Sequence, residues 1–225
     1  MVDSNEHQKH SPLKTPTSRE SVPGINGLIL TGGKSSRMGA DKGSMDYHGV
    51  PQNDFLVRLL SPFVSEVYLS CHPDRVPETH HSILPDTFLD LGPYGGVLSA
   101  FRHDPNSAWL VIACDIPMLD EATLAHLIAS RDHSKVATCF HDPSTDLPEP
   151  LITLWEPRAY SILLQNLSQG ISCLRKVLIN TDSNVIQIER PEVLRNANTP
   201  QEAKEMWEIL VSRPEYIVKS IEDAG

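Results

Sequence analysis

The sequence predicts a single three-layer α/β/α domain built on a mainly parallel, Rossmann-like sheet, and three observations carry that prediction. Short apolar runs at 25–31, 66–71, 82–84, 108–114, 135–140 and 151–155 have the length and composition of buried strands. Between most of them stand segments with apolar residues at helical spacing, the pattern of βαβ units whose sheet is covered on both faces. A chain of 225 residues can bury one full core, whereas two domains would be cramped. The folded domain is expected at 24–213. Residues 1–23, polar and without periodicity, read as a disordered arm, and 214–225 as a C-terminal tail.

The first strand, 25–31, is closed by Gly32-Gly33, a strand feeding a loop. Phe55, Leu56, Leu59, Leu60 and Phe63 give 54–63 a helical apolar stripe. The runs 66–71 and 82–84 supply two further strands, and a helix opens at Gly95 after the Gly92-Pro93 turn. The run AWLVIAC at 108–114 is the strongest buried-strand signal, and it ends on Asp115. An amphipathic helix with an acidic first turn covers 120–130. Strands at 135–140 and 151–155 precede helices at 158–167 and 200–210; Thr199 is placed to cap the last, with Pro200 at its first position.

Composition narrows the function. A net charge of −10 argues against nucleic acid as a partner, which needs a concentrated basic face. A phosphorylated small molecule stays open, since a few cations and backbone N–H groups can hold one on an acidic protein. No apolar run reaches the ~20 residues that span a bilayer, and 1–23 has no apolar signal core. The expected location is cytoplasmic, without membrane contact. Cys71, Cys114, Cys139 and Cys173 are widely scattered and read as reduced and structural. The ten histidines, among them His7, His10, His80 and His81, fall mostly in loops with no metal-ligand spacing and read as surface residues.

Ligands of such sheets bind at the carboxyl ends of strands, where both notable loops lie. After Leu30 and Thr31 comes Gly32-Gly33-Lys34-Ser35-Ser36-Arg37-Met38-Gly39-Ala40-Asp41-Lys42. Its glycines let backbone N–H groups approach an anion, and Arg37 and Lys42 add full charges. A Walker A loop would need glycine where Leu28 stands, and the dinucleotide fingerprint would need one at Lys34. A plain glycine turn is the competing reading, weakened by the two cations and by the buried strand before it. At the second loop, Asp115 emerges from the strongest strand and suits Mg²⁺, a hard cation that takes one or two carboxylates with phosphate oxygens. Its competing role is to cap the helix after Pro117. Asp86 sits in a Pro-Asp-Thr turn that on sequence alone reads as structural.

The run L-T-G-G-K-S-S-R-M-G-A-D-K resembles the signature L-A-G-G-x-S-x-R-M-G-x-D-K of the molybdenum cofactor guanylyltransferases, the MobA-type members of the GT-A-like nucleotidyltransferases. Three further stretches are similar to that family and occur in its order. They are Asp86 leading to Gly92-Pro93-Tyr94-Gly95-Gly96, Ala113-Cys114-Asp115-Ile116-Pro117, and Asn196-Ala197-Asn198-Thr199-Pro200. Together the matches cover roughly residues 25–210. Two departures stand out: Thr31 replaces the usual Ala, and Ser70 falls where better-known members place a nucleotide-contacting Asn.

The resemblance implies transfer of GMP from GTP to the terminal phosphate of molybdopterin, with release of pyrophosphate and with Mg²⁺ as cofactor. It implies Leu30, Thr31, Gly32, Gly33, Lys42, Ser70, Asp86 and Asp115 around the nucleotide, Arg37, Lys42 and Asp115 in catalysis, and Asp115 on the metal. Asn196 and Asn198 are candidate acceptor ligands, although Asn198 reads equally well as the turn that starts the last helix. Arg175 and Lys176 are two more cations, read first as a solvated helix start. The Pro-rich region from Phe140 to Trp155, with Pro-Glu-Pro before Leu151, is expected to border the acceptor. Substrates GTP and molybdopterin are the partners implied, with molybdoenzyme maturation proteins as further candidates. Two rivals remain: a cytidylyltransferase acting on the same cofactor or another phosphorylated acceptor, and a non-catalytic nucleotide-binding carrier of the cofactor.

Overall fold

The computed structural model describes residues 22–31 and 46–212. The proposed phosphate loop from Gly32 to Lys42, and with it Arg37, lies outside the described residues, as do nearly all of the N-terminal arm and the C-terminal tail. Within the described residues the elements run β1 (Ile25–Leu30), α1 (Gln52–Leu60), β2 (Val67–Cys71), β3 (Ser82–Pro85), α2 (Pro93–His103), β4 (Ala108–Ala113), α3 (Glu121–Ala129), β5 (Ala137–Asp142), β6 (Leu147–Trp155), α4 (Ala159–Ser168), α5 (Leu174–Asn180), β7 (Asn184–Ile186) and α6 (Pro200–Val211).

One seven-stranded sheet has the order β3-β2-β1-β4-β6-β5-β7. All neighbours pair in parallel except β6, which is antiparallel to both β4 and β5. The sheet is therefore mainly parallel, as expected, with one reversed strand. Successive residues of β1 and β4 serve opposite faces. Leu28, Leu30, Trp109 and Val111 pack with α2, α4 and α5, through residues such as Val97, Phe101, Leu163 and Val177. Ile29, Leu110 and Ile112 pack with α1 and α3 through Leu56, Leu60, Leu124 and Leu127. Two apolar layers on one sheet give the three-layer domain. Double-sided burial also explains why these central strands are almost uniformly apolar.

The order places the functional face. From β1 the chain steps outward to β2 and β3, then returns to the other side of β1 with β4. The carboxyl ends of β1 and β4 thus flank a topological switch point, where outgoing loops diverge and leave a crevice. A smaller cluster of Tyr47, Met118, Ala197, Ala203, Met206 and Leu210 seats α6 beside these ends. Among the described residues no helix is long and apolar enough to cross a membrane.

Candidate functional site

Four strand ends stand in a row across the crevice, linked by short hydrogen bonds. Leu30 is in register with Ala113, and Cys114 N–H donates to the Leu30 carbonyl at 3.2 Å, so Asp115 begins the second loop beside the first. On the other side of β1, Thr31 donates to the Ser70 carbonyl twice, from its N–H at 3.1 Å and its hydroxyl at 2.7 Å. The hydroxyl that replaces the family's usual Ala is thereby turned to the backbone of β2. Asp86 follows β3, and its N–H donates to the Cys71 carbonyl at 2.8 Å. Asp86, Ser70, Thr31 and Asp115 therefore occupy consecutive strand ends.

Ser70 Oγ donates to Asp86 Oδ1 at 2.7 Å. Burial pushes the Asp86 carboxyl above its ordinary range, opposed by that hydrogen bond and by the charge of His72. A carboxylate held half-buried at such a cost is a poor device for stability and a good acceptor for a ligand's N–H groups. Gly96, in the first turn of α2, lets the helix approach this pair: a Cβ there would lie 2.6 Å from Leu30 Cδ2 and 2.7 Å from Ser70 Oγ. Gly92, which precedes the helix, has φ +56°, a conformation that glycine adopts without strain. The glycines of 92–96 thus shape the wall of the crevice.

Asp115 does not cap the next helix. Asp120 does, accepting the Thr123 N–H at 2.9 Å and pairing with Arg190. Asp115 instead anchors the third candidate segment: Ala197 N–H donates to the Asp115 carbonyl at 2.8 Å, which brings Asn196 and Asn198 to the same strand end. Asn198 also serves the fold. Its N–H and that of Thr199 both donate to Glu202 Oε2, and Thr199 Oγ1 accepts the Glu202 N–H, a complete capping box for α6. Arg175 lies in the first turn of α5, where Nε donates to the Pro148 carbonyl at 3.1 Å and Nη2 faces Glu149 Oε2 at 3.4 Å.

Two residues near Asp115 carried no sequence signal. Tyr47 is buried against α6; burial, then the charges of Asp115 and Cys114, push its phenol up to about 12. Glu149 is 6% exposed and lies close enough to Asp115 to feel its charge. Burial is the main reason its carboxyl is raised, partly offset by the Leu151 N–H and by Arg175. Its placement follows from local sequence. Pro148 and Pro150 cannot donate to a ladder, the β5–β6 register breaks between Cys139 and His141, and the break turns Glu149 inward, with the Thr153 hydroxyl holding its carbonyl at 2.8 Å. This bulge lies within the Pro-rich region from Phe140 to Trp155.

A doubly covered sheet with Asp86 and Asp115 at the strand ends of its switch point, and a glycine- and cation-rich sequence after its first strand, are features of the nucleotidyltransferase class. Within that class, the chain belongs to the MobA-like NTP transferase domain family, whose model matches residues 27–185. It is 31% identical to the molybdenum cofactor guanylyltransferase of Xanthomonas euvesicatoria, over 82% of this chain and 93% of that protein. It is 33% identical to the molybdenum cofactor biosynthesis bifunctional protein of Synechocystis, over 79% of this chain but only 52% of that longer protein. Molybdopterin-guanine dinucleotide biosynthesis protein A of Archaeoglobus fulgidus shares the fold with a TM-score of 0.70 at 22% identity, over 84% of this chain and all of that one. The chain is a nucleotidyltransferase by family, and its fold is that of its class.

Proposed function

We propose that the protein transfers GMP from GTP to the terminal phosphate of molybdopterin. The observation that carries the reading is the alignment of Asp86, Ser70, Thr31 and Asp115 on adjacent strand ends, with Asn196 and Asn198 tethered to Asp115 from the other side. A donor nucleotide then lies along the strand ends, with its acceptor approaching from α6. Similarity to molybdenum cofactor guanylyltransferases supports the substrate pair.

Asp86 reads the base. A carboxylate only accepts, and guanine offers two adjacent donors, N1–H and the 2-amino group, which it can take together. Gly32, Gly33, Arg37 and Lys42 cradle the phosphates. An oxygen of the acceptor phosphate attacks the α-phosphorus, the new O–P bond forms as the bond to the β-phosphate oxygen breaks, and pyrophosphate leaves. A phosphate monoester dianion is already nucleophilic at neutral pH, so no general base is needed. Catalysis rests on positioning and on neutralising charge on the oxygens around phosphorus. Arg37 and Lys42 place cations against those oxygens. Asp115, a hard oxygen donor at a strand end with Glu149 nearby, fits Mg²⁺ and would hold it. When bound, Mg²⁺ supplies positive charge against phosphate oxygens.

Pyrophosphate release measured with each nucleoside triphosphate, with and without molybdopterin, tests the proposal. Release is expected with GTP only when molybdopterin is present. Preference for CTP would establish the cytidylyl rival, and GTP binding without release in any mixture would establish the carrier. Lys42→Ala should lower kcat by ~10²–10³, the loss expected for one preorganised electrostatic donor. Asp115→Ala should abolish Mg²⁺-dependent turnover; wild-type rates in that variant would remove Asp115 from the mechanism.

A further inference from the structure

His80 and His81, which show no metal-ligand spacing in the sequence, gain a third donor once the chain folds. They form the lead-in to β3, and the first turn of α1 brings Asp54 to them. One ligand atom from each of the three lies within 4.8 Å of the other two. His81 Nε2 is 2.6 Å from Asp54 Oδ1, and the two imidazole rings lie 4.0 Å apart at 46°. Asp54 and His81 are half-buried, whereas His80 is exposed. An ion pair alone would use one histidine. The second imidazole adds no contact to Asp54 in the structure, but it brings a second nitrogen donor to the same spot.

We propose that Asp54, His80 and His81 form a binding site for a divalent transition cation of the zinc class, separate from Asp115. The donor set decides the class: two imidazole nitrogens with one carboxylate oxygen suit Zn²⁺ and its neighbours, while Mg²⁺ and Ca²⁺ prefer all-oxygen sites. Three protein ligands leave a fourth tetrahedral position to water. Binding replaces the His81–Asp54 hydrogen bond by two metal–ligand bonds of about 2.0–2.2 Å. Rotation of the exposed His80 ring closes the remaining gap. The cation then clasps α1, which follows the phosphate loop, to the start of the edge strand β3. None of these residues takes part in the proposed nucleotide chemistry, so the site stands or falls independently of it.

The test uses the full chain stripped with chelator and titrated with Co²⁺ and with Zn²⁺. One equivalent of Co²⁺ should give visible ligand-field bands without a sulfur-to-metal charge-transfer band, because Cys173, the exposed thiol, is not a ligand. Zn²⁺ should raise Tm by mass action on the native state. His80→Gln changes an exposed side chain and should leave the metal-free Tm in place. It should cost the site more than the ~10–100-fold in affinity that loss of an outer partner costs. Asp115→Ala should keep the equivalent. Three results would overturn the proposal: an unchanged stoichiometry and affinity in His80→Gln, a charge-transfer band that disappears in Cys173→Ser, or no Zn²⁺-dependent shift in the wild type.

Discussion

Single atoms decide the end of the crevice at which the proposed nucleotide lies. Gly96 is a position where any side chain must displace either Leu30 or Ser70, because its Cβ would stand within 2.7 Å of both. Gly96→Ala should cost about 1–3 kcal/mol through overpacking and weaken GTP binding, since the displaced Ser70 no longer aims Asp86. Thermal melts with and without GTP will separate the two effects. Asp86 makes the opposite trade. Its folded carboxyl is raised above the ordinary value, chiefly by burial, so the charged form costs stability that the protonated form does not. That cost is absent below the unfolded pKa and appears as pH rises through the folded one. Asp86→Asn keeps the acceptor for Ser70 and removes the charge. It should therefore raise the ligand-free Tm at neutral pH, with the gain shrinking towards acid pH. It should also weaken GTP binding by ~10–100-fold, the worth of a hydrogen bond to a charged group. A variant that melted lower than wild type at neutral pH would show that the buried charge is stabilised by something other than Ser70 and His72.

Elements carry the end proposed for the acceptor, and here the sequence was only partly legible. The last helix was readable in detail: Thr199 and Pro200 announced its start, and the capping box with Glu202 is present. What that box does for the site emerges only in three dimensions, because the Ala197 N–H that ties the segment to Asp115 is a backbone contact with no residue signature. Thr199→Ala should cost ~1 kcal/mol of stability and raise KM for molybdopterin while leaving GTP affinity unchanged. Equal losses for both substrates in steady-state kinetics would detach Asn196 and Asn198 from the acceptor. The hairpin of β5 and β6 was less legible. Strands buried on both faces read as apolar runs whatever their direction, so 151–155 gave no sign that β6 is reversed. Its first residues, Leu147 to Pro150, were hidden by two prolines that disqualify an ordinary strand and in fact mark a bulge. Glu149 stayed invisible for the same reason. Asp54, His80 and His81 show the general limit: each is an ordinary loop or helix residue in sequence, and only the packing of α1 beside β3 brings them together.

At the scale of the molecule, the site is a by-product of topology, and the sheet must stay registered for it to exist. β1 and β4 pair in parallel, so Thr31, after which the proposed phosphate loop begins, and Asp115 leave neighbouring strand ends. What fixes the lower end of these strands is a buried ion pair far from the crevice. Arg131 donates Nε and Nη2 to the two oxygens of Glu156 at 2.6 and 2.9 Å, while Nη1 donates to the Pro23 carbonyl at 3.0 Å. The pair joins the loop after α3, the end of β6 and the backbone leading into β1, with Glu156 only 1% exposed. An uncompensated charge in that place is expensive: breaking a buried pair costs about 3–5 kcal/mol. Arg131→Met should therefore lower Tm by roughly 6–20 °C for a domain of this size. Glu156→Gln with Arg131→Met, which removes both charges, should recover a large part of that loss. Because the pair lies at the opposite ends of the strands from Asp86 and Asp115, the double variant should retain GTP affinity and turnover at temperatures below its melt. If instead its GTP affinity fell as far as that of Asp86→Asn, the strand ends would be coupled through the sheet, and the crevice would owe its geometry to the register that this pair holds.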